Sequence, residues 1–248
     1  MNKIKFTATK LANSGKKGVL TPDEDGYYTL AIGGLNCFNS ANEFYDSNNV
    51  VSLFEKSSSF MRKIKAGYLY GELGHPAYQK GWSDDEYINR IYKIDESNLV
   101  CHFKDVWLVN GAGPSSPITI MAKVIPFGSK GYILKESLDN PNINTAFSIR
   151  SIVGYYYERG IRHKVITSVI TFDFVVEPGI ANANKWDSPG LEHNNQDVLV
   201  TKRMLEKIVN DPVLTIGVES NKDIILDSIK QIENNPKLNI PKSILTNW

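Results

Sequence analysis

Several residue types that mark particular classes of protein are scarce in this chain of 248 residues. Its 2 cysteines, Cys37 and Cys101, are too few for a disulfide framework, and neither has the spacing of a metal or redox motif. No apolar stretch approaches the ~20 residues of a membrane-spanning helix. The formal net charge is only +1, which argues against nucleic acid or a membrane surface as the main partner.

We recognise no signal peptide, and with so few cysteines we expect a reducing cytoplasm. The hydrophobic fraction of 42% is sufficient for a sizeable core. After Pro178 the chain becomes polar and asparagine-rich and then amphipathic, so we expect a domain over residues 1–196 and a helical C-terminal segment over 197–248. The first 65 residues match no motif, and their role is not predicted.

Histidine is also scarce, with 4 in the chain. His102 lies in an apolar strand and is expected to be structural, His163 lies beside a predicted turn, and His193 lies in a polar stretch. His75 differs, because Pro76 restricts its backbone to extended conformations at the end of a predicted strand. Loops on rigid scaffolds often carry catalytic groups. On these facts alone, an ordinary turn histidine is an equally good interpretation of His75.

Two segments rich in β-branched and aromatic residues, 145–157 and 164–176, predict a long β-hairpin. Gly160 suits the first central position of a two-residue type II′ turn, closed by Arg159 and Arg162. This turn sets the register of both strands.

Ser148 faces Asp173 in that register, just as Tyr157 faces Lys164, Glu158 faces His163 and Ser151 faces Ile170. Directly opposed residues share one face of a sheet, with Cβ atoms roughly 4.5–5.5 Å apart. Asp173 stands in an apolar run, and carboxylates are rarely buried unless they are paired. Asp173 therefore needs a partner, and a protonated imidazole would be one.

The remaining pattern predicts strands and helices around this hairpin. Capping-box sequences at 40–43 and 83–86 predict helices, the first continuing through Phe54 and a further piece at 59–65. A hairpin is predicted for 88–94 and 99–109, and a strand or helix for 118–125. Strands are also predicted at 3–9, 26–32 and 67–72, and helices at 130–138, 198–209 and 221–234.

The chain contains three motifs: Gly71-Glu72-Leu73-Gly74-His75-Pro76, then Ser148-Ile149-Arg150, then Phe172-Asp173-Phe174-Val175-Val176-Glu177-Pro178. Jointly, over about residues 66–180, they resemble the prohead maturation proteases of tailed bacteriophages. The resemblance implies an α+β fold, with an antiparallel β-barrel core of the herpesvirus-protease type and surrounding helices. It also implies a catalytic triad of His75, Ser148 and Asp173. One departure is that Ile149-Arg150-Ser151 stands where relatives often have glycine after the serine.

By the same resemblance, the chain is expected to be a serine endopeptidase without cofactor or metal. Such proteases enter the procapsid in the host cytoplasm as zymogens, cleave scaffold and capsid proteins, and trim themselves. T-even relatives favour glutamate before the cut, which makes Glu206 and Glu219 candidate self-cleavage sites. A homo-oligomer is compatible with this interpretation.

Two charged residues near the motifs have open roles. Arg150 either supports the oxyanion, meets an acidic substrate side chain, or is a salt-bridged strand arginine. Glu72 is expected to support the site without touching the substrate.

Two other classes of function are weighed against a serine protease. The first is a non-catalytic capsid assembly or scaffold protein on the same fold, in which the triad-like residues serve only the structure. The second is a metal hydrolase, prompted by Glu72 near His75 and by Glu192 beside His193. The metal hydrolase is disfavoured, because Gly74 and Pro76 do not suit a ligand-bearing helix and no three-ligand spacing is present.

Overall fold

The computed structural model describes residues 20–48, 50–110, 116–186, 202–211 and 222–234. The strands are β1 (Tyr28–Leu35), β2 (Cys37–Phe38), β3 (Phe44–Asp46), β4 (Tyr70–Glu72), β5 (Leu99–Asn110), β6 (Ile118–Pro126), β7 (Ala146–Glu158) and β8 (Ile161–Val175). The helices are α1 (Val50–Leu53), α2 (Ser59–Lys65), α3 (Asp84–Tyr92), α4 (Gly131–Asp139), α5 (Lys202–Asn210) and α6 (Lys222–Asn234).

The strands form two four-stranded sheets, in the orders β1-β6-β5-β4 and β2-β3-β8-β7. All pairs are antiparallel except β3 with β8. The sheets meet just after β4, where Leu73 forms a parallel bridge with Phe174. The N–H of Gly74 donates to the carbonyl oxygen of Phe174 at 2.8 Å. This junction brings the chain after β4 against the end of β8.

The α+β class is confirmed, but no closed barrel is found among the described strands. Where β7 begins, the backbone pairs with the segment 180–185 instead of with β1: the N–H of Phe147 donates to the carbonyl oxygen of Ala183 at 3.0 Å. Asn182 of this segment also donates from Nδ2 to Thr119 Oγ1 at 3.2 Å. Because the segment takes the hydrogen bonds at the start of β7, the two sheets do not close there.

The turn of the β7–β8 hairpin lies one residue earlier than the sequence predicts. Arg159 and Gly160 are its central residues, with φ of 50° and 79°, and Glu158 pairs with Ile161. Two positive φ values define a type I′ turn, whose twist matches that of the strands. The predicted type II′ turn is wrong, because Arg159 adopts a left-handed conformation that is rare for a residue with a side chain.

Two β-bulges in β8 compensate for this displacement. Ile170 is the extra residue between Val169 and Thr171, and Thr167 is the extra residue between Ile166 and Ser168. Each bulge moves the register by one residue. The predicted pairing of Ser148 with Asp173 is therefore confirmed, whereas Tyr157 pairs with Arg162, Glu158 with Ile161 and Ser151 with Val169, contrary to prediction.

Helix α3 begins as predicted, with Ser83 as N-cap and a complete capping box with Glu86. The hairpin predicted from residue 88 is wrong, since the helix continues to Tyr92 with Tyr87, Ile88 and Tyr92 buried. A 3₁₀ turn, Glu96–Asn98, then leads into β5.

The helix predicted from the other capping-box sequence through Phe54 is wrong over its first part, because strand β3 forms there and pairs with β8, whereas α1 lies within its last part. The pieces α2, α4 and α6 fall where helices are predicted, and the segment 118–125 is a strand. The strand predicted at 3–9 lies outside the described residues.

Two apolar clusters hold the elements together. The larger lies between the sheets, where the ring of Phe103 packs 5.9 Å from that of Phe147 and 6.0 Å from that of Phe172. The smaller joins α3, α5 and α6 to β7 and β8 through Ile88, Tyr92, Ile152, Ile170, Leu205, Ile208, Ile224 and Ile225. Helices α5 and α6 thus pack directly against α3, β7 and β8.

Candidate active site

Strand β4 leads into the loop that places His75 at the junction of the two sheets. Gly71 allows β4 to lie close to β8. A Cβ atom at position 71 would lie 2.3 Å from the carbonyl oxygen of Phe172 and 2.7 Å from Sγ of Cys101. Neither backbone nor buried sulfur can accommodate such a contact, so only glycine fits here. The residues that follow, Glu72 and His75, are thereby brought within reach of β8.

His75 and Asp173 are in direct contact. The Nδ1 atom of His75 lies 2.7 Å from Oδ2 of Asp173. An ionised carboxylate only accepts hydrogen bonds, so the proton of this bond belongs to Nδ1. In the neutral ring, Nε2 then carries a lone pair and can take up a proton. The imidazole is 18% exposed, whereas the carboxylate is fully buried.

Asp173 stays ionised despite its burial. Burial alone would raise its pKa, but the charge of Arg150 and the hydrogen bonds from His75 and Arg150 outweigh it and lower the pKa to about 2. The backbone N–H of Glu72 also donates to Oδ1 at 3.0 Å. A carboxylate with this many donors is held in one orientation and one charge state.

Ser148 lies directly opposite Asp173 in the β7–β8 ladder and is half-buried. Opposed residues share a face, so its hydroxyl lies on the side of the sheet where Asp173 meets His75. The structure therefore brings His75 and Asp173 into contact and places Ser148 on the same side. Ser151 pairs with Val169, beyond the first bulge.

Arg150 binds both buried carboxylates of this region. Its Nε and Nη2 donate to the two oxygens of Asp173 at 2.8 and 2.7 Å, and Nη1 donates to Oε1 of Glu72 at 3.0 Å. Burial alone would lower its pKa, but attraction to Asp173 and Glu72 raises it. Of the roles open from sequence, this geometry favours the salt-bridged arginine, since the side chain is only 3% exposed.

Glu72 is fully buried and joins the site to α3. Besides Arg150, it binds Arg90, whose Nη1 and Nη2 lie 3.1 and 2.5 Å from the two carboxylate oxygens. The N–H of Asp95 at 3.0 Å and the amide of Asn98 at 3.3 Å complete its shell. The sequence does not point to Arg90, because the pattern from residue 88 predicts a strand there. Extending α3 by one turn would have placed Arg90 on the same face as Tyr87.

The other two described histidines, His102 and His163, make their contacts elsewhere. Both ring nitrogens of His102 are bonded, Nδ1 to the hydroxyl of Tyr27 at 3.1 Å and Nε2 to the carbonyl oxygen of Gly67 at 3.1 Å, as expected of a structural histidine. Desolvation lowers the pKa of His102. The ring of His163 stacks on Tyr156, with centroids 4.6 Å apart. His193 lies outside the described residues.

The two candidate self-cleavage sites differ in what the structure says of them. Glu206 lies inside α5, half-buried, next to the fully buried Leu205. Glu219 lies outside the described residues, as does Glu192 of the metal hypothesis. In the part of the chain that is described, no three histidine, cysteine, aspartate or glutamate side chains are grouped to hold a metal ion. Nor is any helix in that part long and apolar enough to cross a membrane.

Comparison with known proteins agrees with the motifs. The family model described as Peptidase S80 family matches residues 6–232. The chain is 38% identical over 205 residues to the capsid maturation protease of Pseudomonas phage phiKZ. The aligned region covers 80% of this chain and 75% of that protein. No solved structure gives a significant match. The resemblance to phage prohead proteases is thereby confirmed, and the chain belongs to the Peptidase S80 family.

Proposed function

We propose that this protein is a serine endopeptidase with Ser148 as nucleophile, His75 as general base and Asp173 as the residue that orients the base. The observation that carries the proposal is the 2.7 Å contact between His75 Nδ1 and Asp173 Oδ2, with Ser148 opposite Asp173 in the ladder. Nucleophile, base and orienting acid on one side of a sheet are what acyl transfer by a serine requires.

In this mechanism, Ser148 Oγ attacks the scissile carbonyl carbon while its proton passes to Nε2 of His75. Asp173 accepts the Nδ1–H bond throughout and stabilises the imidazolium that forms. His75 then gives the proton to the leaving amine, the peptide C–N bond breaks, and the acyl group remains on Ser148. A water molecule, deprotonated by His75, releases the acid and restores the serine.

In this proposal Arg150 stabilises the Asp173 carboxylate and does not bind the oxyanion. Its Nε, Nη1 and Nη2 are each bonded to a buried carboxylate, and the guanidinium is shielded from solvent. Moving it toward a substrate would leave two buried carboxylates without their shared cation, at a cost of several kcal/mol. Its role is therefore to keep Asp173 ionised and correctly aimed.

The substrates we propose are capsid and scaffold proteins inside the procapsid of the host cell. Support comes from the relative in phage phiKZ, which is a capsid maturation protease by name. The core is proposed to be a variant of the herpesvirus-protease barrel, opened where residues 180–185 pair with β7. Self-cleavage after Glu206 requires α5 to unfold first, because both sides of that bond lie in a helix packed on the core.

A fluorophosphonate probe tests the enzyme directly, because it modifies only an activated serine. We expect the protein to be labelled, Ser148→Ala to be unlabelled, and Ser151→Ala on the same strand to be labelled as the wild type. Absence of labelling in the wild type would instead favour the non-catalytic assembly protein. Labelling lost in Ser151→Ala and kept in Ser148→Ala would reassign the nucleophile.

The proposed substrates and self-cleavage are tested by co-expression with a capsid scaffold protein. The N- and C-terminal masses of both chains are then compared between the wild type and Ser148→Ala. Processing that depends on Ser148 supports the proposal, and a new C-terminus at Glu206 or Glu219 identifies the self-cleavage site. Identical masses in both samples would contradict both the proposed substrates and the proposed self-cleavage.

A further inference from the structure

One face of helix α3 contacts two neighbours of the His75–Asp173 pair, Pro76 and Glu72. The hydroxyl of Tyr87 donates to the carbonyl oxygen of Pro76, directly after His75, at 3.2 Å. Three residues later, Arg90 binds the Glu72 carboxylate through both Nη atoms. Residues three apart on a helix are neighbours on its surface, so a single helix face reaches the histidine loop and the carboxylate network.

We propose that Arg90 and Tyr87 are positioning residues that hold the proposed catalytic pair in register, an inference that rests on the serine protease function. Neither residue needs to touch the substrate. Tyr87 fixes the backbone from which the imidazole extends. Arg90 fixes Glu72, Glu72 fixes Nη1 of Arg150, and Arg150 fixes both oxygens of Asp173.

The geometry of Arg90 supports a specific role in alignment. A guanidinium bound to a carboxylate through two parallel N–H groups defines an orientation as well as a distance. Glu72 has two guanidinium partners, Arg90 and Arg150, on a fully buried carboxylate. Without Arg90, Glu72 keeps the N–H of Asp95 and the amide of Asn98 but loses the contact that fixes its orientation, and Arg150 is then less firmly held.

The end of α3 strengthens the same link. Nη1 of Arg150 lies 3.4 Å from the carbonyl oxygen of Ile91 and 3.3 Å from that of Lys93, and Nη1 of Arg90 lies 2.9 Å from the latter. These carbonyls form the negative end of the helix dipole, which favours cations. Helix α3 therefore holds Arg150 by its carbonyl end as well as through Arg90 and Glu72.

The charges of this network give a prediction that a purely structural role would not. Arg90 and Arg150 bind the two buried carboxylates, Glu72 and Asp173. The buried Lys63 also interacts with the charge of Arg150, and Asp95 lies 3.9 Å from Arg90. Removing the charge of Arg90 leaves this network one unit more negative, so we expect the acid limb of the labelling profile to move to higher pH.

The experiment measures the second-order rate constant of fluorophosphonate labelling against pH in the full-length protein. We expect Arg90→Lys, which keeps the charge but loses the two-pronged contact, to label roughly 10- to 100-fold more slowly with an unmoved acid limb. Arg90→Met should label at least as slowly, and the acid limb of its pH–rate profile should lie at a higher pH. Tyr87→Phe, which deletes one oxygen, should slow labelling roughly 10-fold.

Matched controls come from the same kinds of contact elsewhere. Arg162→Lys alters an arginine paired with Glu43 at 2.9 Å, and Tyr28→Phe deletes a hydroxyl that donates to Asp139 at 3.1 Å. Both controls should label at the wild-type rate. Thermal unfolding of each variant shows whether the labelled sample is folded.

The outcomes separate this inference from the function on which it rests. Folded Arg90→Lys and Tyr87→Phe that label like the wild type, while Ser148→Ala is silent, would overturn the positioning role and leave the protease intact. An acid limb unmoved in Arg90→Met would likewise overturn it. A wild type that the probe does not label would defeat the protease itself. If neither Arg90 variant folds, the labelling rate of Tyr87→Phe decides whether the positioning role holds.

Discussion

The ring of His75 shares Oδ2 of Asp173 with Nε of Arg150, the two nitrogens lying 2.7 and 2.8 Å from that oxygen. The carboxylate is thus already paired with a permanent cation before the imidazole is protonated. The arginine holds Asp173 ionised and in place, and the hydrogen bond to Asp173 fixes the tautomer of His75. The charge of Asp173 therefore depends on Arg150, and the orientation of the His75 ring depends on its hydrogen bond to Asp173.

Replacing Asp173 with asparagine tests its charge and its hydrogen bond to His75 together. The amide has nearly the same shape, but it has no charge, and it can present its NH₂ group to His75 and favour the wrong tautomer. We expect the rate of fluorophosphonate labelling to fall roughly 10⁴-fold, as when a triad aspartate is replaced. A folded Asp173→Asn protein that labels within tenfold of the wild type would show that Asp173 does not orient the base.

Arg150→Met should destabilise the protein far more than a surface substitution. It leaves the fully buried carboxylates of Glu72 and Asp173 without the cation they share, which typically costs about 3–5 kcal/mol. Urea unfolding at pH 7 measures this loss. Arg162→Met is the control, because the pair of Arg162 with Glu43 is 39% exposed on the arginine side and worth less than about 1 kcal/mol. Equal losses in the two variants would contradict the importance of the buried network.

How far the sequence predicts this site is clearest at the hairpin. The pairing of Ser148 with Asp173 is correct, although the turn and the pairs near it are not. A glycine marks the turn region but does not show that Arg159 takes a left-handed conformation. Nor does β-strand alternation reveal the bulges at Thr167 and Ile170, because both of these residues are themselves β-branched and favour strands.

The network around Asp173 was less accessible to sequence reasoning than the three proposed catalytic residues. The need for a partner followed from one buried acid in an apolar run, but the partner that dominates its pKa is Arg150, from the neighbouring strand. Arg90 comes from a helix that ends later than the alternating apolar residues suggested. Contacts between distant segments such as Glu72 and Arg90 depend on packing that no local pattern encodes.

The pH dependence of stability should contain a contribution from Asp173. Its pKa is about 2 in the folded protein, against an ordinary value of 3.8 for an aspartate, so its ionised form stabilises the fold fully above pH 3.8. That contribution, roughly 2 kcal/mol, is lost as pH falls through the window between the two values. The free energy of urea unfolding, measured from pH 5 to 2, should therefore fall less steeply in Asp173→Asn than in the wild type. Parallel curves would mean that the pKa of Asp173 is not lowered.

Gly71→Ala tests whether the close approach of β4 to β8 is needed for the site. The new Cβ would lie 2.3 Å from a backbone oxygen, so β4 must move and carry Glu72 and His75 with it. We expect a loss of about 1–3 kcal/mol in stability and labelling slowed at least roughly 10-fold. Gly131→Ala, at the start of α4, is the control, since the nearest contact of its Cβ would be 3.3 Å, to the backbone carbon of Pro126. Wild-type labelling by Gly71→Ala would show that the approach is not required.

Ile208→Ala asks whether the C-terminal helices influence the site through α3. Ile208 is fully buried in the cluster that joins α5 to Ile88 and Tyr92 of α3. Truncation should cost about 2–5 kcal/mol, and a looser α3 should slow labelling in the folded protein.

The matched control for Ile208→Ala is Leu134→Ala. Leu134 is equally buried, but it lies on α4 in the larger cluster, so its truncation should cost similar stability and leave the labelling rate unchanged. Equal labelling by the two variants would mean that α5 supports only the fold. Slower labelling in Ile208→Ala alone would show that α5 supports the active site through α3.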